Sequence, residues 1–257
     1  MIFLEGGTAD GREAAERLAA AGEEVIYSSI SNYNAPKENR HLHWHIGTMD
    51  ADQLKDFLTE QKVTVFVDAT HPYARQASVN AMAACGALHL RYIRFERPGI
   101  LSMAPELQKQ VRHFPDYDEM VSYLQNFPGN ILTTTGSREL AHYQTLDKER
   151  LFIRVLPTSS VLKKCEGLGY KPSHIFGMQG PFSQAMNAAM IEDHEIRFVT
   201  TKDSGDIGGV ADKIRAAKEK GAEVLCVDRP DLDYPEVYAD IDRLLGQLAA
   251  RKDDTQG

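Results

Sequence analysis

The sequence predicts an α/β protein made of doubly wound parallel sheets. Short apolar runs rich in β-branched residues alternate with helical patterns along almost the whole chain, which is the order of strands and crossover helices in such sheets. A glycine-broken turn joins the first apolar run to the first helical pattern, an arrangement that suits anion binding. The chain has 257 residues and exceeds the common size of one domain, so one large or two medium domains are expected.

The first turn, GGTADG at residues 6–11, is the first candidate binding site. It lies between the apolar run 1–4 and a helical pattern, so backbone N–H groups at the helix start point at an anion such as a nucleotide phosphate. Thr8 replaces the middle glycine of the G-x-G-x-x-G pattern. Either its hydroxyl takes part in the phosphate contact or the phosphates sit differently; an ordinary strand-to-helix turn is the alternative. The residues predicted to bind the cofactor here are Gly6, Gly7, Thr8, Asp10 and Gly11.

A second strand is predicted at 24–28, and the residues at its end favour NADPH as the cofactor. NAD-binding folds carry an acidic residue at this strand end, where it binds the ribose 2′-hydroxyl. Ser28 and Ser29 stand there instead, with Lys37 and Arg40 downstream, and this set suits a 2′-phosphate. NADH stays open as the cofactor, and the alternative is that the serines merely cap the strand end.

Three histidines alternate in HLHWHI at residues 41–46, so a strand would place His41, His43 and His45 on one face. Imidazole is a common metal ligand, but no carboxylate or cysteine set elsewhere in the sequence completes a recognisable metal site. The stretch is therefore predicted to be a partly exposed edge strand without a metal.

The stretch VTVFVD at 63–68 predicts a buried parallel strand, and the polar run DATHPYA (68–74) follows at its carboxyl end. Ligands bind outside the carboxyl ends of strands in open α/β sheets, so cofactor contacts are expected in this run. A helix of small residues, 77–84, comes next and is predicted to end at Gly86. The predicted cofactor contacts in the run are Thr70, His71, Pro72 and Tyr73.

A strand at 88–95 completes a first domain, predicted at residues 1–98. Periodicity is lost from 99 to 109, which predicts a linker, and a second alternating series fills a second domain at 110–257. Its last helical pattern runs from about 236 to 251. The predicted strands of this domain are 111–114, 130–134, 151–155, 174–176, 197–201 and 223–227.

Polar and glycine-rich runs follow several strands of the second domain, and parallel strands bring such runs to one edge of the sheet. Their hydroxyls, cations and backbone N–H groups are the chemistry of carboxylate or phosphate recognition, although capping of helices is an alternative for each run. The residues predicted to bind a substrate are Thr134, Thr135, Gly136, Ser137, Arg138, Arg154, Gly180, Ser183, Lys202, Asp203, Ser204 and Gly205.

Composition excludes several classes of partner. A net charge of −8 speaks against a nucleic-acid-binding surface. No apolar run approaches the roughly 20 residues that a membrane span needs, and Met1 leads into a strand without a signal-peptide pattern. Cys85, Cys165 and Cys226 lie far apart with no CxxC pairing, which is typical of reduced thiols in a cytoplasm.

Eight short runs, in the same order and across nearly the whole chain, make this sequence similar to the precorrin-6A reductase family of cobalamin biosynthesis. Two departures are Asp10, where glutamate is more common in the family, and the residues 206–207 within a glycine-containing loop. The runs are GGTADGR (6–12), DATHPYA (68–74), RFERP (94–98), TTGS (134–137), RVLP (154–157), GPFS (180–183), TKDSG (201–205) and VDRP (227–230).

The resemblance implies two Rossmann-like domains with an active site in the cleft between them. NADPH would bind mainly to the first domain, and the second would cover a polycarboxylated tetrapyrrole. The implied reaction is hydride transfer from the nicotinamide to the C18–C19 double bond of precorrin-6A or of its cobalt-loaded form. A proton must also be delivered, and His71, Tyr73 and Lys202 are candidate donors by residue type. The presence of cobalt in the substrate and the oligomeric state are left open.

An adenosylmethionine-dependent methyltransferase, or another nucleotide-binding enzyme of a tetrapyrrole pathway, is the alternative function. Such methyltransferases also use a glycine turn after the first strand. They normally carry an acidic residue at the end of the second strand, where Ser28 stands, so the reductase is the favoured interpretation.

Overall fold

The chain forms two compact units in a computed structural model. The first unit contains Met1–Arg97 together with the chain from Pro230 onward, and the second contains Pro98–Arg229. Each unit is built around a sheet of six strands, and every strand pair in both sheets is parallel. The predicted α/β class with two doubly wound parallel sheets is confirmed. The residues that the structure describes are 1–30, 35–203 and 209–249.

The first unit has the strand order of a dinucleotide-binding fold. Its strands are β1 (Ile2–Glu5), β2 (Val25–Ser29), β3 (Leu42–Ile46), β4 (Val65–Asp68), β5 (Arg91–Phe95) and β12 (Val237–Tyr238). Its helices are α1 (Ala9–Ala20), α2 (Ala51–Glu60), α3 (Arg75–Leu88) and α10 (Ile241–Ala249). The strand order is β3-β2-β1-β4-β5-β12, so the chain moves outward in one direction from β1 and in the other from β4.

Helices cover both faces of the first sheet because successive residues of a strand point to opposite sides. Leu4 packs in a core with residues of α1 and α10, such as Leu18 and Leu244. Phe3 and Phe66 pack on the other face with residues of α2 and α3. Burial on both faces explains why the central strands are continuously apolar.

The two units divide the chain at other positions than the predicted domains, 1–98 and 110–257. β12 pairs in parallel with β5, and α10 buries its apolar face in the core of the first unit, so the end of the described chain returns to that unit. The predicted linker, 99–109, contains two short helices, α4 (Ile100–Met103) and α5 (Pro105–Gln108). Its residues Leu101 and Leu107 are buried in the core of the second unit.

The second unit repeats the architecture of the first. Its strands are β6 (Val111–Phe114), β7 (Asn130–Thr133), β8 (Leu151–Val155), β9 (Ile175–Gly177), β10 (Ile196–Lys202) and β11 (Glu223–Val227). Its longer helices are α6 (Tyr117–Gln125), α7 (Ser159–Gly167), α8 (Gln184–Asp193) and α9 (Val210–Lys220), with 3₁₀ segments at Glu139–Thr145, Lys148–Arg150 and Pro172–His174. The strand order is β9-β8-β7-β10-β11-β6, so the direction of winding reverses between β7 and β10.

The strands predicted from periodicity are all present, and β3 lies at the sheet edge as predicted for the histidine-rich stretch. Two helices differ from their predictions. α3 continues through Gly86 and ends at Leu88, and its C-cap His89 adopts the left-handed conformation (φ 52°). The last helix, predicted at about 236–251, begins only at Ile241, because Val237 and Tyr238 form β12. Within the described ranges, no group of three or more metal-ligating side chains is arranged to hold an ion. Over the same ranges, no helix is both long enough and apolar enough to cross a membrane.

Candidate functional site

The predicted site residues follow strands at the carboxyl edge of each sheet. The winding reverses between β1 and β4 in the first sheet and between β7 and β10 in the second. Open α/β sheets bind ligands outside the carboxyl ends of their strands at such reversal points. The glycine turn 6–11 and the run 68–74 therefore adjoin the reversal point of the first sheet, and 134–138 and 202–203 adjoin that of the second.

The turn after β1 needs its glycines for three different reasons. A Cβ on Gly6 would lie 2.3 Å from the Tyr27 ring, so no side chain fits there. Gly7 has φ +108°, which favours glycine, and its N–H donates to the Tyr27 hydroxyl at 3.0 Å. Among the described residues nothing lies within 4 Å of the position that a Cβ on Gly7 would take, so a ligand has room on that side of the turn. A Cβ on Gly11 would lie 3.0 Å from the carbonyl oxygen of Ala69, because α1 packs closely against the end of β4. A glycine turn of this form at a helix start fits the pyrophosphate of a dinucleotide.

Thr8 is the N-cap of α1. Its Oγ1 accepts a hydrogen bond from the backbone N–H of Gly11 (2.9 Å) and donates one to the carbonyl oxygen of Ala69 (3.0 Å). A hydroxyl has one hydrogen, so this hydroxyl cannot donate to a phosphate while it bonds to Ala69. The donors that suit an anion are the backbone N–H groups at the start of α1. Asp10 lies in that first turn, and its carboxylate is 3.3 Å from the guanidinium of Arg97.

The two serines at the end of β2 are buried against side chains of β3. Ser28 Oγ lies 3.1 Å from His45 Nδ1, and Trp44 Nε1 donates to Ser29 Oγ at 3.3 Å. Arg40, one of the two downstream cations, is exposed on the loop before β3. Contact of these groups with a 2′-phosphate stays a prediction.

Asp68, the last residue of β4, is the centre of a buried hydrogen-bond network. Its Oδ1 accepts from the backbone N–H and the hydroxyl of Thr70 (3.0 and 2.7 Å) and from Arg94 Nη1 (2.7 Å). Its Oδ2 accepts from Ser78 Oγ and Tyr92 OH, both at 2.6 Å. The Thr70 hydroxyl also accepts from Arg94 at 3.1 Å. This network holds the end of β4 in place and commits the Thr70 hydroxyl to the protein interior.

His71, Pro72 and Tyr73 form the partly exposed turn between β4 and α3. The backbone N–H of Tyr73 donates to His71 Nδ1 at 3.3 Å, and the two rings lie 5.7 Å apart. The predicted proton donors His71 and Tyr73 are thus neighbours at the reversal point of the first sheet. Their part in proton transfer stays a prediction.

Glu5, the last residue of β1, is a buried acid beside this network that the sequence pattern did not reveal. Burial and the neighbouring Asp68 raise the pKa of Glu5 to about 8, and Arg94 partly opposes this rise. Its Oε2 is buried and has no hydrogen-bond partner among the described residues. A neutral carboxyl group therefore directly precedes the glycine turn at neutral pH.

Of the two threonines that follow β7, one lies at the edge of the sheet and the other in the interior. Thr134 donates from its backbone N–H and from its hydroxyl to the carbonyl oxygen of Thr200 (3.0 and 2.8 Å) and is partly exposed. Thr135 is buried, and its hydroxyl lies 3.2 Å from that of Tyr143. Thr134 is therefore closer to a ligand position than Thr135, whose hydroxyl points into the interior.

Gly136 turns the chain with φ +91° and leads to Ser137 and Arg138. The ammonium of Lys164 donates to the carbonyl oxygen of Ser137 at 2.7 Å, and the Arg138 side chain is exposed. This turn leaves Arg138 open to solvent and to a ligand at the sheet edge.

Arg154, near the end of β8, is a buried cation with neutral partners. Its Nη1 donates to Asn187 Oδ1 at 2.8 Å, and its guanidinium lies 4.2 Å from the centre of the Phe182 ring. Burial lowers the pKa of Arg154 to about 10. Ser183 caps the start of α8, and a Cβ on Gly180 would lie 3.0 Å from Phe182, so both residues shape the loop that covers the guanidinium.

Lys202, the last residue of β10, and Asp203, which follows it, make different contacts. Lys202 Nζ lies 3.3 Å from Glu139 Oε1; burial lowers the Lys202 pKa and the Glu139 carboxylate opposes that change. Asp203 Oδ2 accepts from the backbone N–H of Leu101 at 3.3 Å. The same oxygen would lie 1.8 Å from a Cβ on Gly99, so only glycine fits at that position. Asp203 thus holds the start of α4. Ser204 and Gly205 lie outside the described residues.

Lys213 on α9 is a residue of this edge that was not predicted. Its ammonium donates to the hydroxyls of Thr201 (3.1 Å) and Thr134 (3.4 Å), and the residue is 6% exposed. Burial, followed by repulsion from Arg154 and Lys202, lowers the pKa of Lys213 to about 7.

A helical pattern in the sequence could have revealed this lysine. It lies on one face of α9 with apolar residues at helical spacing, a face that packs into the core of the second unit. A lysine in such a stripe is unusual enough to mark a functional position. The other members of the stripe are Val210, Ile214 and Ala217.

Comparison with known proteins gives matches along nearly the whole chain. A family model described as "Precorrin-6x reductase CbiJ/CobK" matches residues 1–249. The chain is 33% identical to a cobalt-precorrin-6A reductase of Methanothermobacter thermautotrophicus over 96% of this chain and 83% of that protein. It is 31% identical to a cobalt-precorrin-6A reductase of Priestia megaterium over 96% of this chain and 98% of that protein. The solved structure of a CobK precorrin-6A reductase covers 97% of this chain and 96% of its own, with a TM-score of 0.75 and 26% identity.

Proposed function

The chain belongs to the precorrin-6x reductase CbiJ/CobK family and is an oxidoreductase of cobalamin biosynthesis, and we propose that its substrate is precorrin-6A or the cobalt-loaded form of that macrocycle. The observation that carries the proposal is the family match over residues 1–249, because it extends through both units. A reductase of this family implies a nicotinamide cofactor. The proposed reaction reduces the C18–C19 double bond by addition of one hydride and one proton.

We assign cofactor binding to the first unit. Its strand order is that of dinucleotide-binding folds, and its glycine turn lies at the reversal point between β1 and β4. The open space beside Gly7 and the N-terminus of α1 suit the pyrophosphate. The tight packing at Gly11 supports the same assignment, because it brings α1 against the sheet as in other dinucleotide sites.

NADPH is proposed as the preferred form of the cofactor. The last residues of β2 are Ser28 and Ser29, so the acidic side chain that would bind a ribose 2′-hydroxyl and repel a 2′-phosphate does not stand there. Trp44 donates to Ser29 at this strand end. Because it is the only tryptophan of the chain, its fluorescence offers a direct report on nucleotide binding near β2.

We assign the substrate to the carboxyl edge of the second sheet. A tetrapyrrole with acetate and propionate side chains needs several cations and donors, and a protein of net charge −8 must supply them locally. In the order of the strands across the sheet, these cations are the buried Arg154 of β8, the exposed Arg138 after β7 and the partly exposed Lys202 of β10. Thr134 and the turn at Gly136 add neutral donors to this edge.

The nicotinamide, when bound, supplies the hydride. The residues of the chain have to bind both molecules, exclude water and provide a proton. Lys202 suits proton delivery because burial lowers its pKa, which makes the ammonium a stronger acid than an exposed lysine, while the nearby Glu139 carboxylate opposes that change. His71 and Tyr73 are the candidates of the first unit, and they stand next to the proposed nucleotide site.

The proposal is tested by turnover and by cofactor titration. Purified protein should oxidise NADPH in the presence of metal-free or cobalt-loaded precorrin-6A, and the relative rates identify the natural form. Trp44 fluorescence should respond to NADPH at lower concentrations than to NADH. A stronger response to adenosylmethionine than to either nucleotide, without turnover, would reject the reductase and favour a methyltransferase.

A further inference from the structure

Two buried cations of the second unit have only neutral partners among the described residues. Arg154 is 7% exposed and contacts the Asn187 amide, the Phe182 ring and, at 3.8 Å, the sulfur of Met190. Lys213 is 6% exposed and contacts two threonine hydroxyls. Burial of a charge without a counter-charge is strongly unfavourable, so such groups are normally paired. An anion from outside the described chain would satisfy both.

The position of these cations matches that of a ligand site. Lys213 contacts Thr134, which directly follows β7, and Thr201, the penultimate residue of β10. β7 and β10 are the strands between which the winding of the second sheet reverses. Arg154 lies near the end of β8, the neighbour of β7. Thr134 is partly exposed at this edge of the sheet, so only the Thr134 side chain separates the Lys213 ammonium from the surface.

We propose that Lys213 and Arg154 form a buried subsite for one carboxylate group of an anionic ligand. The guanidinium uses only Nη1 in its hydrogen bonds to the described residues, which leaves its other N–H groups for a planar anion. Asn187 fixes the guanidinium, and Thr201 fixes the ammonium. The identity of the ligand as a tetrapyrrole carboxylate rests on the proposed function, whereas the subsite itself rests on the two unpaired cations.

The subsite couples ligand binding to protonation. The groups that face Lys213 are Arg154 on β8, Lys202 on β10 and the thiol of Cys226 on β11. Burial raises the pKa of Cys226 to about 12, so this thiol stays neutral, while burial and, after it, the two cations lower the pKa of Lys213 to about 7. Part of the protein therefore carries a neutral amine slightly above neutral pH. A carboxylate that arrives beside the amine restores its charge, so binding takes up a proton.

Isothermal titration calorimetry of the full chain with uroporphyrin, a stable tetrapyrrole that carries acetate and propionate groups, measures this uptake. Titrations at about pH 7.5 in two buffers of different ionisation enthalpy should give about 0.8 proton taken up per bound ligand, since a group of pKa about 7 is mostly neutral there. Lys213→Arg should retain affinity within about threefold and lose the uptake, because arginine stays charged. Lys213→Met should lose both, with at least about tenfold weaker binding.

Lys218→Met is the matched control, because it removes a lysine from an exposed position of the same helix. It should change neither affinity nor proton uptake. The melting temperature of Lys213→Met should equal or exceed that of the wild type, since methionine relieves an unpaired buried amine; a purely structural lysine would give the opposite sign.

Three results would overturn the subsite. The first is failure of the wild type to bind uroporphyrin, and the second is unchanged proton uptake in both Lys213 variants. The third is proton uptake that depends on Lys213 when NADP⁺ is the ligand but not when uroporphyrin is, which would assign the cations to a phosphate. Lys213-dependent uptake with uroporphyrin, in a protein that does not turn over precorrin-6A, would instead reject the proposed function and retain the subsite.

Discussion

Replacement of Arg94 by methionine should destabilise the first unit by about 3–5 kcal/mol, the range measured when one partner of a buried ion pair is removed. The side chains of Arg94 and Asp68 are 1% and 0% exposed, and Nη1 lies 2.7 Å from Oδ1. Without the guanidinium, Asp68 keeps its hydrogen bonds from Thr70, Ser78 and Tyr92 but loses its counter-charge. The carboxylate would then be buried with no cation to balance it.

Urea unfolding followed by the fluorescence of Trp44 measures this effect, because the only tryptophan lies in β3 of the first unit. With a denaturant slope of about 1–3 kcal/mol per molar urea, the loss should lower the midpoint by at least about 1 M. Arg97→Met is the matched control. Arg97 pairs with Asp10 and Glu13, but its side chain is 44% exposed, so its loss should change stability by less than about 1 kcal/mol.

An equal, small effect of Arg94→Met and Arg97→Met would refute the reasoning, since it would mean that water reaches the Asp68 carboxylate. The double variant Asp68→Asn/Arg94→Met extends the test. It removes both charges together, so its loss should be smaller than the sum of the two single losses. Additive losses would show that the two side chains do not interact as a pair.

Three further outcomes are expected. Gly11→Val should weaken NADPH binding at least about tenfold, measured by Trp44 fluorescence, because its side chain meets the Ala69 carbonyl oxygen and displaces α1. Thr8→Val should lower stability by about 1 kcal/mol through loss of the N-cap in urea unfolding, with a smaller effect on cofactor affinity, since the hydroxyl hydrogen is donated to Ala69. Glu5→Gln should make the free energy of unfolding less dependent on pH. The raised pKa of Glu5, about 8 against 4.5, means that the folded chain binds more protons than the unfolded chain between those values. The contribution of Glu5 to the free energy of unfolding is fully present below about pH 4.5 and is lost as the pH rises through about 8. Midpoints of unfolding read by Trp44 should fall less steeply with pH in the variant, and parallel pH profiles would contradict the assignment.

Periodicity along the chain predicts most of the fold, because each long strand and helix carries its own signal. β12 carries none: it has two residues, and its partner β5 lies more than a hundred residues earlier in the chain. The path of the chain back to the first unit depends on that pairing and on the burial of Ile241, Leu244 and Leu248. A helical pattern shows that α10 has an apolar face, but it does not show which of two similar sheets that face covers.

The candidate site, like the fold, could be predicted only in part from the sequence. The residue types and the strand ends on which they stand follow from the sequence, because parallel strands end at one edge. The direction of each hydrogen bond does not follow, since it depends on neighbours that are distant in the chain. Thr8 donates to Ala69, and Ser28 is buried by His45 of the adjacent strand. The position of Lys213 in an apolar helical stripe was visible in the sequence, but only the structure shows that none of its partners among the described residues is acidic.

Each unit buries an arginine, but only the arginine of the first unit has carboxylate partners among the described residues. This difference separates a structural role from a binding role. Arg94 donates to the carboxylates of Asp68 and Glu96, so its charge is balanced within the first unit. Arg154 is nearly as buried, but its hydrogen-bond acceptors among the described residues are an amide oxygen and a thioether, and Lys213 adds a second positive charge nearby. A fold gains nothing in stability from two unbalanced cations, so their retention needs another reason. An anionic substrate that balances them on binding is such a reason, and it accounts for cations in the interior of a protein whose surface is acidic overall.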